Sequence, residues 1–479
     1  MVNVESTAGG ASKVDLSDEV IRFFATRFAG PLIRPGDPEY EDVRALWNGV
    51  IDKRPALIAQ CTGTADVVQA VTFARQHNLP VAVRGGGHNV AGYASVDDGL
   101  VIDLSLMTGV YVDPEAQTVR AQGGATLGHI DRETQVFGLA TPLGVVSETG
   151  AAGLTLNGGL GHLRRKYGLS CDNLVSAEVV TADGEVRTAN VDHHEDLFWA
   201  IRGGGGNFGV VTSLEYRLHE VGPMMPTLFV WYHGDDANAV LEAYRAYTET
   251  APIDSSTLAF TTFVPSIEEF PETTWGSPAV VLLGCFDGPQ EAADEEFGPL
   301  RNISTPIADL SGRESYVDLQ RLLDEDFPDG LRYYWKSVYV NELTDRIVDQ
   351  VVKTGLDAPS ALSTVDIWHL GGAIADRASN ETAFAHRTAP YMITYEANWE
   401  DPADDDANIA WGRAGIRELR QFDVVSGAYG NFPGFDEAPA KTVFGENYER
   451  LVEVKTVYDP TNLFKLNQNI APRIEPGDE

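Results

Sequence analysis

One short stretch, residues 81–89 with the sequence VAVRGGGHN, constrains the fold of this chain more than any other. An apolar run typical of a buried strand ends in Arg84 and is followed by three glycines. Because glycine has no side chain, the backbone N–H groups of such a loop can close around a phosphate group. His88 comes directly after the glycines, where its ring would lie beside the group attached to that phosphate. The residues alone therefore indicate a loop for a phosphate-bearing cofactor, and a structural role for His88 is the open alternative.

Length and charge narrow the class of protein. At 479 residues the chain can bury a large core and should form more than one domain. It has 71 Asp and Glu against 35 Lys and Arg, which gives a formal net charge of −36. Such a charge disfavours nucleic acid and anionic membranes as partners. Because salt screens self-repulsion, we interpret the composition as a halophile-like surface suited to a salty cytoplasm, with an ordinary acidic protein as the alternative.

Cysteines and apolar runs restrict the protein further. Cys61, Cys171 and Cys285 are isolated in sequence, so we expect neither a disulfide framework nor a metal site. The first residues lack an apolar signal-peptide core, and no run approaches the ~20 apolar residues that span a bilayer. We therefore expect a soluble, cytoplasmic protein.

The order of strand-like and helix-like segments predicts an α+β chain with two domains. A strand at 55–59, a helix from Thr64 and the strand before the glycine loop form a strand-helix-strand unit. From about residue 226, longer strands alternate with amphipathic helices, which favours one sheet covered by helices on one face. We place the domains at 1–225 and 226–440, followed by a C-terminal segment at 441–479.

Two further glycine-rich stretches have different interpretations. Residues 150–162, GAAGLTLNGGLGH, are small enough for the backbone to lie against a flat ligand, although a close-packed helix is the alternative. The spacing Gly204-x-Gly206-x-x-Gly209 fits the dinucleotide-binding fingerprint. However, it follows a helix-like segment and precedes a strand, the reverse of the required order, so we reject that interpretation.

Several motifs together carry a resemblance. They are Arg84 to His88 with Gly92-Tyr93, and residues 103–105, 123–125, 153–159, 165–169 and 172–173. This set closely resembles the flavin-binding domain of FAD-linked oxidases of the vanillyl-alcohol-oxidase type. Residues 444–451 and 458–470 resemble the closing segment of the berberine-bridge-enzyme-like branch. The resemblance spans about 50–223 and 365–470. It implies a two-domain α+β fold in which the C-terminal segment completes a flavin domain with its core at about 50–223.

The resemblance implies FAD as the cofactor, joined covalently to His88 through the flavin's 8-methyl carbon. Some relatives add a cysteine link, but the aligned residues 146–150 contain no cysteine, so we expect a single link. The residues that the resemblance assigns to cofactor binding are Arg84, Gly85, Gly86, Gly87, His88, Asn89, Gly92, Thr149, Gly150, Gly153, Leu154, Asn157, Gly158, Gly161, His162, Val210, Asn467 and Asn469.

Tyr429 begins a stretch that is similar to the Tyr-x-Asn-Tyr/Phe motif, whose first tyrosine acts as a base in many relatives. A phenol with a pKa near ~10 needs a cationic or flavin-derived partner to lose its proton at neutral pH. Lys336 and Arg387 lie in stretches that match family patterns facing the flavin, and either could supply that charge. The alternative is a packed aromatic side chain whose O–H is bonded.

The resemblance therefore implies an oxidoreductase that passes hydride from a small alcohol, sugar-like or amine substrate to the flavin, with O2 as acceptor and H2O2 as product. Thr149 stands where relatives usually carry Val or Leu, so a dehydrogenase with another acceptor stays open. Leu154 stands where relatives with two covalent links commonly carry a histidine, so this position does not predict how the protein adjusts the properties of the flavin.

A tailoring or cyclising enzyme of a natural-product pathway is a further alternative. A non-enzymatic binding module is disfavoured, because it has little use for a covalent redox cofactor. The sequence identifies neither the substrate nor the oligomeric state.

Overall fold

A computed structural model describes residues 16–435, 437 and 439–473. The α-helices, α1 to α14 in chain order, are Asp18–Ala25, Tyr40–Arg44, Thr64–Gln76, Leu127–Thr134, Ala151–Leu156, Arg164–Tyr167, Glu195–Ala200, Ala237–Thr248, Gln290–Arg301, Tyr316–Arg321, Asp345–Gly355, Asp405–Leu419, Ala440–Phe444 and Tyr448–Tyr458. The strands, β1 to β20, are Leu32–Ile33, Leu57–Gln60, Val81–Arg84, Leu100–Asp103, Val110–Asp113, Thr118–Gln122, Leu139–Ala140, Leu174–Val180, Val186–Asn190, Val210–Arg217, His219–Glu220, Met224–His233, Ser255–Phe263, Pro278–Phe286, Ala308–Asp309, Gly312–Ser315, Arg332–Val340, Thr364–His369, Tyr391–Trp399 and Val425–Ser426.

The strand-helix-strand unit forms as predicted and ends at the glycine loop. A four-stranded sheet has the order β1-β2-β4-β3, and β2 and β3 both run parallel to β4. Helix α3 makes the crossover and buries Val67, Ala70, Val71 and Ala74, the apolar face expected from its spacing. Strand β3 ends at Arg84, so the glycines that follow lie at the carboxyl edge of this sheet, where open α/β sheets place their ligands.

A five-stranded antiparallel sheet of order β5-β6-β10-β8-β9 forms the rest of the first half. Helix α14 returns from the C-terminus and packs Leu451, Val454 and Tyr458 into the same hydrophobic core as Phe198 and Val211. The C-terminal segment therefore packs against the first half of the chain. That it completes a flavin domain stays a prediction.

The second half is built on one antiparallel sheet of nine strands, which runs β15-β12-β14-β13-β18-β19-β17-β20 with β16 also paired to β12. The side chains of α8, α9, α11 and α12 cover one face and share a core with alternate residues of the central strands. The predicted single sheet with helices on one face is confirmed. On the opposite face, here called the free face, α10 and the α6 region pack only at the end formed by β12–β14, and most of the remaining side chains line a cavity shared with the glycine loop.

The change from the smaller sheets to the nine-stranded sheet falls between β11 and β12, at residues 220–224. The predicted boundaries at 225/226 and 440/441 stay predictions. Among the described residues, no helix has the length and apolar character needed to cross a membrane. The same residues form no His, Cys, Asp or Glu group suited to a metal ion.

Lys455 holds the C-terminal segment in place. Its ammonium group is fully buried, donates to the carbonyl oxygens of Asn207 and Phe464, and pairs with Asp459 at 2.6 Å. A buried charge with these partners is satisfied, but removing it leaves the Asp459 carboxylate buried without a cation.

We therefore expect Lys455→Met to lower the free energy of unfolding by about 3–5 kcal/mol. The matched control is Lys441→Met, because Lys441 pairs with Glu449 at an exposed site, where such pairs contribute at most about 1 kcal/mol. Urea unfolding followed by tryptophan fluorescence measures both. Equal midpoints for the two variants would contradict this role for Lys455.

Candidate active site

A cavity of about 830 Å³ lies between the glycine loop and the free face of the nine-stranded sheet. Residues 85–89, 149–157 and 464–468 line one end, and side chains of β12, β13, β17, β18 and β19 line the other. Its volume is at the upper end of the ~300–1,000 Å³ usual for ligand sites. The cavity thus joins the predicted cofactor loop to the second sheet.

The glycines at one end allow two backbones to touch. A Cβ atom placed on Gly86 would lie 2.5 Å from the Gly150 nitrogen and 2.6 Å from its Cα. A Cβ on Gly85 would lie 3.0 Å from the Gly123 oxygen. Gly87 has a φ of +74°, a conformation that favours glycine. The loop is therefore glycine-rich partly because it packs against a second glycine-rich segment.

His88 lines the cavity and is held by an aromatic stack. Its ring lies 4.1 Å, centroid to centroid, from Trp47 at 19°, and Trp47 lies 3.7 Å from Tyr333 at 10°. Burial lowers the pKa of His88 to about 3, so the imidazole is neutral at neutral pH. Its Nε2 atom is buried and has no hydrogen-bond partner among the described residues. A neutral ring with a free nitrogen has the protonation state that a nucleophile requires.

Tyr429 lines the cavity and is surrounded by hydrogen-bond donors. Its hydroxyl oxygen accepts from the backbone N–H groups of Gly159 at 3.1 Å and Leu160 at 3.2 Å, and from the Asn431 amide at 2.9 Å. Burial is the largest influence and raises the pKa of Tyr429 to about 12, although these donors lower it. The phenol is therefore protonated at neutral pH, while an anionic oxygen would find its donors already in place.

The two cations expected beside Tyr429 lie elsewhere. Lys336 pairs with Glu437 at 2.5 Å, because alternation along β17 directs Trp335 into the cavity and Lys336 to the opposite face. Arg387 is fully buried and binds both Asp172 carboxylate oxygens, at 2.7 and 2.8 Å. Neither side chain lines the cavity. We correct the expectation accordingly: the partners of Tyr429 are neutral N–H donors.

The predicted cofactor residues divide into two groups. Those that line the cavity are Gly85, Gly86, Gly87, His88, Asn89, Thr149, Gly150, Gly153, Leu154, Asn157 and Asn467. Those that do not are Arg84, Gly92, Gly158, Gly161, His162, Val210 and Asn469.

Three residues of the second group have contacts within the protein framework, and the assignment of the group to cofactor binding stays a prediction. Arg84 donates to the backbone oxygens of Val43 and Arg44. A Cβ on Gly161 would lie 2.1 Å from the Leu143 oxygen, so this glycine permits a close backbone approach. Val210 belongs to β10 and is fully buried.

Sequence reasoning missed several lining residues. Gly206 and Gly209 of the rejected fingerprint line the cavity, although they lie between α7 and β10 in the helix-loop-strand order that excluded it. The glycine content of this stretch was the sequence signal that could have identified them as lining residues. Trp47, which stacks on His88 but is not itself a lining residue, was also missed, because nothing in the sequence relates it to a histidine far along the chain. Asp366 and Glu396 of the second sheet were missed for the same reason.

Comparison with known proteins identifies the family. A profile described as FAD binding domain matches residues 55–190, and one described as berberine and berberine like matches residues 428–471. An FAD-linked oxidoreductase of Dictyostelium discoideum is 31% identical over 461 residues, covering 95% of this chain and 97% of that protein. The (R)-6-hydroxynicotine oxidase of Paenarthrobacter nicotinovorans is 31% identical over 453 residues, covering 92% of this chain and 97% of that enzyme.

Solved structures share the fold of this chain. The crystal structure of 6-hydroxy-D-nicotine oxidase from Arthrobacter nicotinovorans has a TM-score of 0.82 at 29% identity and covers 93% of this chain and 98% of that one. BBE-like 1 of Physcomitrella patens shares the fold, with a TM-score of 0.85 at 22% identity over 95% of this chain and 99% of that one. The chain belongs to the FAD-linked oxidoreductases, in the branch with a berberine-like C-terminal segment. It is an FAD-dependent oxidoreductase, as the motifs implied.

The residues present fit FAD. The glycines at 85–87 leave backbone N–H groups free of side chains at the carboxyl edge of the first sheet, where a pyrophosphate can be held. The Asn157 and Asn467 side chains line the cavity, and their Oδ1 atoms are buried with no partner among the described residues. The hydroxyl and N–H groups of a flavin nucleotide can satisfy such acceptors.

The contact between Gly86 and Gly150 gives a direct prediction. A methyl group at Gly86 forces the two loops apart, so we expect Gly86→Ala to lose most of its flavin and to be destabilised by about 1–3 kcal/mol. The control is Gly298→Ala in α9, where a Cβ meets nothing within 4 Å. Flavin-to-protein absorbance and thermal melting measure both. Full flavin content in Gly86→Ala would show that the loops tolerate separation.

Proposed function

We propose that this enzyme oxidises a small alcohol, sugar-like or amine substrate by hydride transfer from a C–H bond to a flavin covalently linked to His88, and that O2 reoxidises the flavin to give H2O2. The observation that carries the proposal is the single cavity joining the glycine loop and His88 to Tyr429. FAD supplies the hydride acceptor. The chain's own residues hold the cofactor, orient the substrate and move its proton.

His88 suits a covalent link because its environment keeps it neutral and fixed. The stack with Trp47 restricts ring rotation, and burial keeps the imidazole unprotonated. In the described part of the chain no cysteine lines the cavity, which supports a single link. Cys171 is buried, and burial raises the pKa of its thiol to about 12, so it remains a protonated, unreactive thiol at neutral pH.

Acid precipitation tests the link. We expect the flavin colour to stay with the pellet of the unmodified protein and to remain in the supernatant for His88→Ala. His193→Ala, at an exposed histidine outside the cavity, should behave as the unmodified protein. Colour released from the unmodified protein would refute the covalent attachment while leaving FAD binding intact.

In its deprotonated form, Tyr429 acts in the proposal as acceptor of the substrate's O–H proton. The N–H groups of Gly159 and Leu160 and the Asn431 amide would stabilise charge that develops on its oxygen. The same groups hold the ring in one orientation before substrate enters.

Replacing Tyr429 by Phe removes the proton acceptor, so we expect kcat to fall about 10²–10⁴-fold with an alcohol substrate. Because the pKa of Tyr429 is raised to about 12, its deprotonated fraction grows with pH, and log kcat/KM of the parent enzyme should rise toward alkaline pH. This rise should disappear in the variant. The control is Tyr339→Phe, which removes a buried hydroxyl that has no described partner. Equal losses in both variants would contradict a specific role for Tyr429.

The electron acceptor is tested by reducing the holoenzyme with substrate without air and then mixing it with oxygenated buffer. An oxidase returns to the oxidised spectrum within its turnover time and yields one H2O2 per flavin. Thr149 lines the cavity, and a Thr149→Val variant examines whether this side chain affects the step. A reduced flavin that persists in air but is oxidised by a dye would establish a dehydrogenase instead.

We further propose a salty cytoplasm as the working environment. The net charge of −36 destabilises the compact state through self-repulsion, which salt screens. We expect the melting temperature to rise as the KCl concentration is raised from about 0.2 M to about 2 M. The same measurement in NaCl serves for comparison. A melting temperature that falls or stays constant in both salts would contradict this adaptation.

A further inference from the structure

Two carboxyl groups face the cavity from neighbouring strands of the second sheet. Asp366 of β18 lies opposite Thr394 of β19, and Glu396 lies opposite Thr364, so the two acidic side chains project from the same face one step apart. They are 7% and 3% exposed. Burial raises the pKa of both groups, and the charge of Asp366 raises that of Glu396 further. The two carboxyl groups, here called the carboxyl pair, are therefore shifted toward their neutral forms unless a cation is supplied.

Among the described residues, no Lys or Arg side chain pairs with the carboxyl pair. The Glu396 carboxyl accepts a hydrogen bond from Thr394 at 3.1 Å. One oxygen of Asp366, Oδ1, is buried and receives no hydrogen bond from the described residues. The indole N–H of Trp368, which lies on the same wall, also lacks a partner there and is 4% exposed. A buried acceptor without a donor is costly, and a ligand that brings an N–H group would satisfy it.

The charge of the surrounding wall is negative. Glu325, Asp326 and Glu400 also line the cavity. Arg321 is the only Lys or Arg side chain among the described lining residues, and it is 65% exposed and lies 3.6 Å from Asp324. A cationic group is therefore favoured in this half of the cavity, whereas an anionic one is repelled.

Aromatic rings surround the carboxyl pair. The free face of the sheet carries Phe229, Trp231, Phe260, Trp335 and Trp368, all of which line the cavity. The faces of such rings attract organic ammonium groups, and their area buries an apolar body. Carboxylates within an aromatic wall are thus complementary to a cation with an apolar substituent, and less so to a sugar that presents many hydroxyl groups.

We propose that the carboxyl pair binds the protonated nitrogen of an amine substrate whose apolar body packs on the aromatic wall, which makes amines the substrate class of this enzyme. The inference rests on the proposed function only in placing substrate in this cavity. It concerns recognition and is measured as binding.

Equilibrium titration of the holoenzyme under argon, followed by tryptophan fluorescence and the flavin spectrum, tests the proposal. The probes are N-methylbenzylamine, which is cationic at neutral pH, its neutral isostere benzyl methyl ether, and the anion phenylacetate. We expect the amine to bind at least about tenfold more tightly than the ether, and phenylacetate to bind most weakly.

Asp366→Asn and Glu396→Gln keep the shape of the carboxyl groups and should each weaken amine binding about tenfold or more, with ether binding unchanged. The matched control is Asp131→Asn, which removes a buried carboxyl that accepts from Gln320 outside the cavity and should change neither affinity. If either cavity variant fails to retain flavin, the comparison of the three probes on the unmodified protein still tests whether the cavity prefers the amine.

Equal affinity for amine and ether, or unchanged amine affinity in both cavity variants, would overturn the proposal. Reduction of the flavin by alcohols or sugars, without selective amine binding, would overturn it and leave the proposed function intact. Selective amine binding that depends on the carboxyl pair, with no substrate class reducing the flavin, would support the amine site and contradict the proposed function.

Discussion

The active site depends on a contact between two backbones, that of Gly86 after the first sheet and that of Gly150 at the start of α5. This contact closes one end of the cavity without side chains, so that N–H groups remain available to a phosphate. It also fixes where His88 and the segment leading to Asn157 lie relative to each other. A side chain at either glycine would separate the loops, and the arrangement of every group at that end would change with them.

The second sheet supplies the opposite wall through the simple alternation of its strands. In β17, β18 and β19, one set of side chains enters the helix-covered core and the other set faces the cavity. This alternation accounts for the position of Lys336, which pairs with Glu437 away from the cavity. It also explains why Asp366 and Glu396, acidic residues in otherwise apolar strands, face the cavity instead of the helices.

The sequence predicts much of the fold, because periodicity and glycine content are local signals. The strands around 81–84 and 391–397 follow from their apolar runs, and the glycine loop follows from its composition. The stack of Trp47 on His88 could not be predicted, because it depends on contacts between distant segments. The carboxyl pair depends on the register between β18 and β19, which no single strand specifies. Motif resemblance pointed to Tyr429, which lines the cavity, but suggested two cationic partners that lie elsewhere.

Burial controls the protonation of the groups that meet in this cavity. It lowers the pKa of His88 and raises those of Tyr429, Asp366 and Glu396, so each group is shifted toward its neutral form. The donors around the Tyr429 oxygen do not outweigh burial, since its pKa remains above that of a free phenol. Charge in the cavity then depends on a partner that arrives with the ligand: a proton moving to Tyr429, or a cation at the carboxyl pair. Such a site excludes charges that do not match its own groups, because an unmatched charge would lose its hydration without compensation.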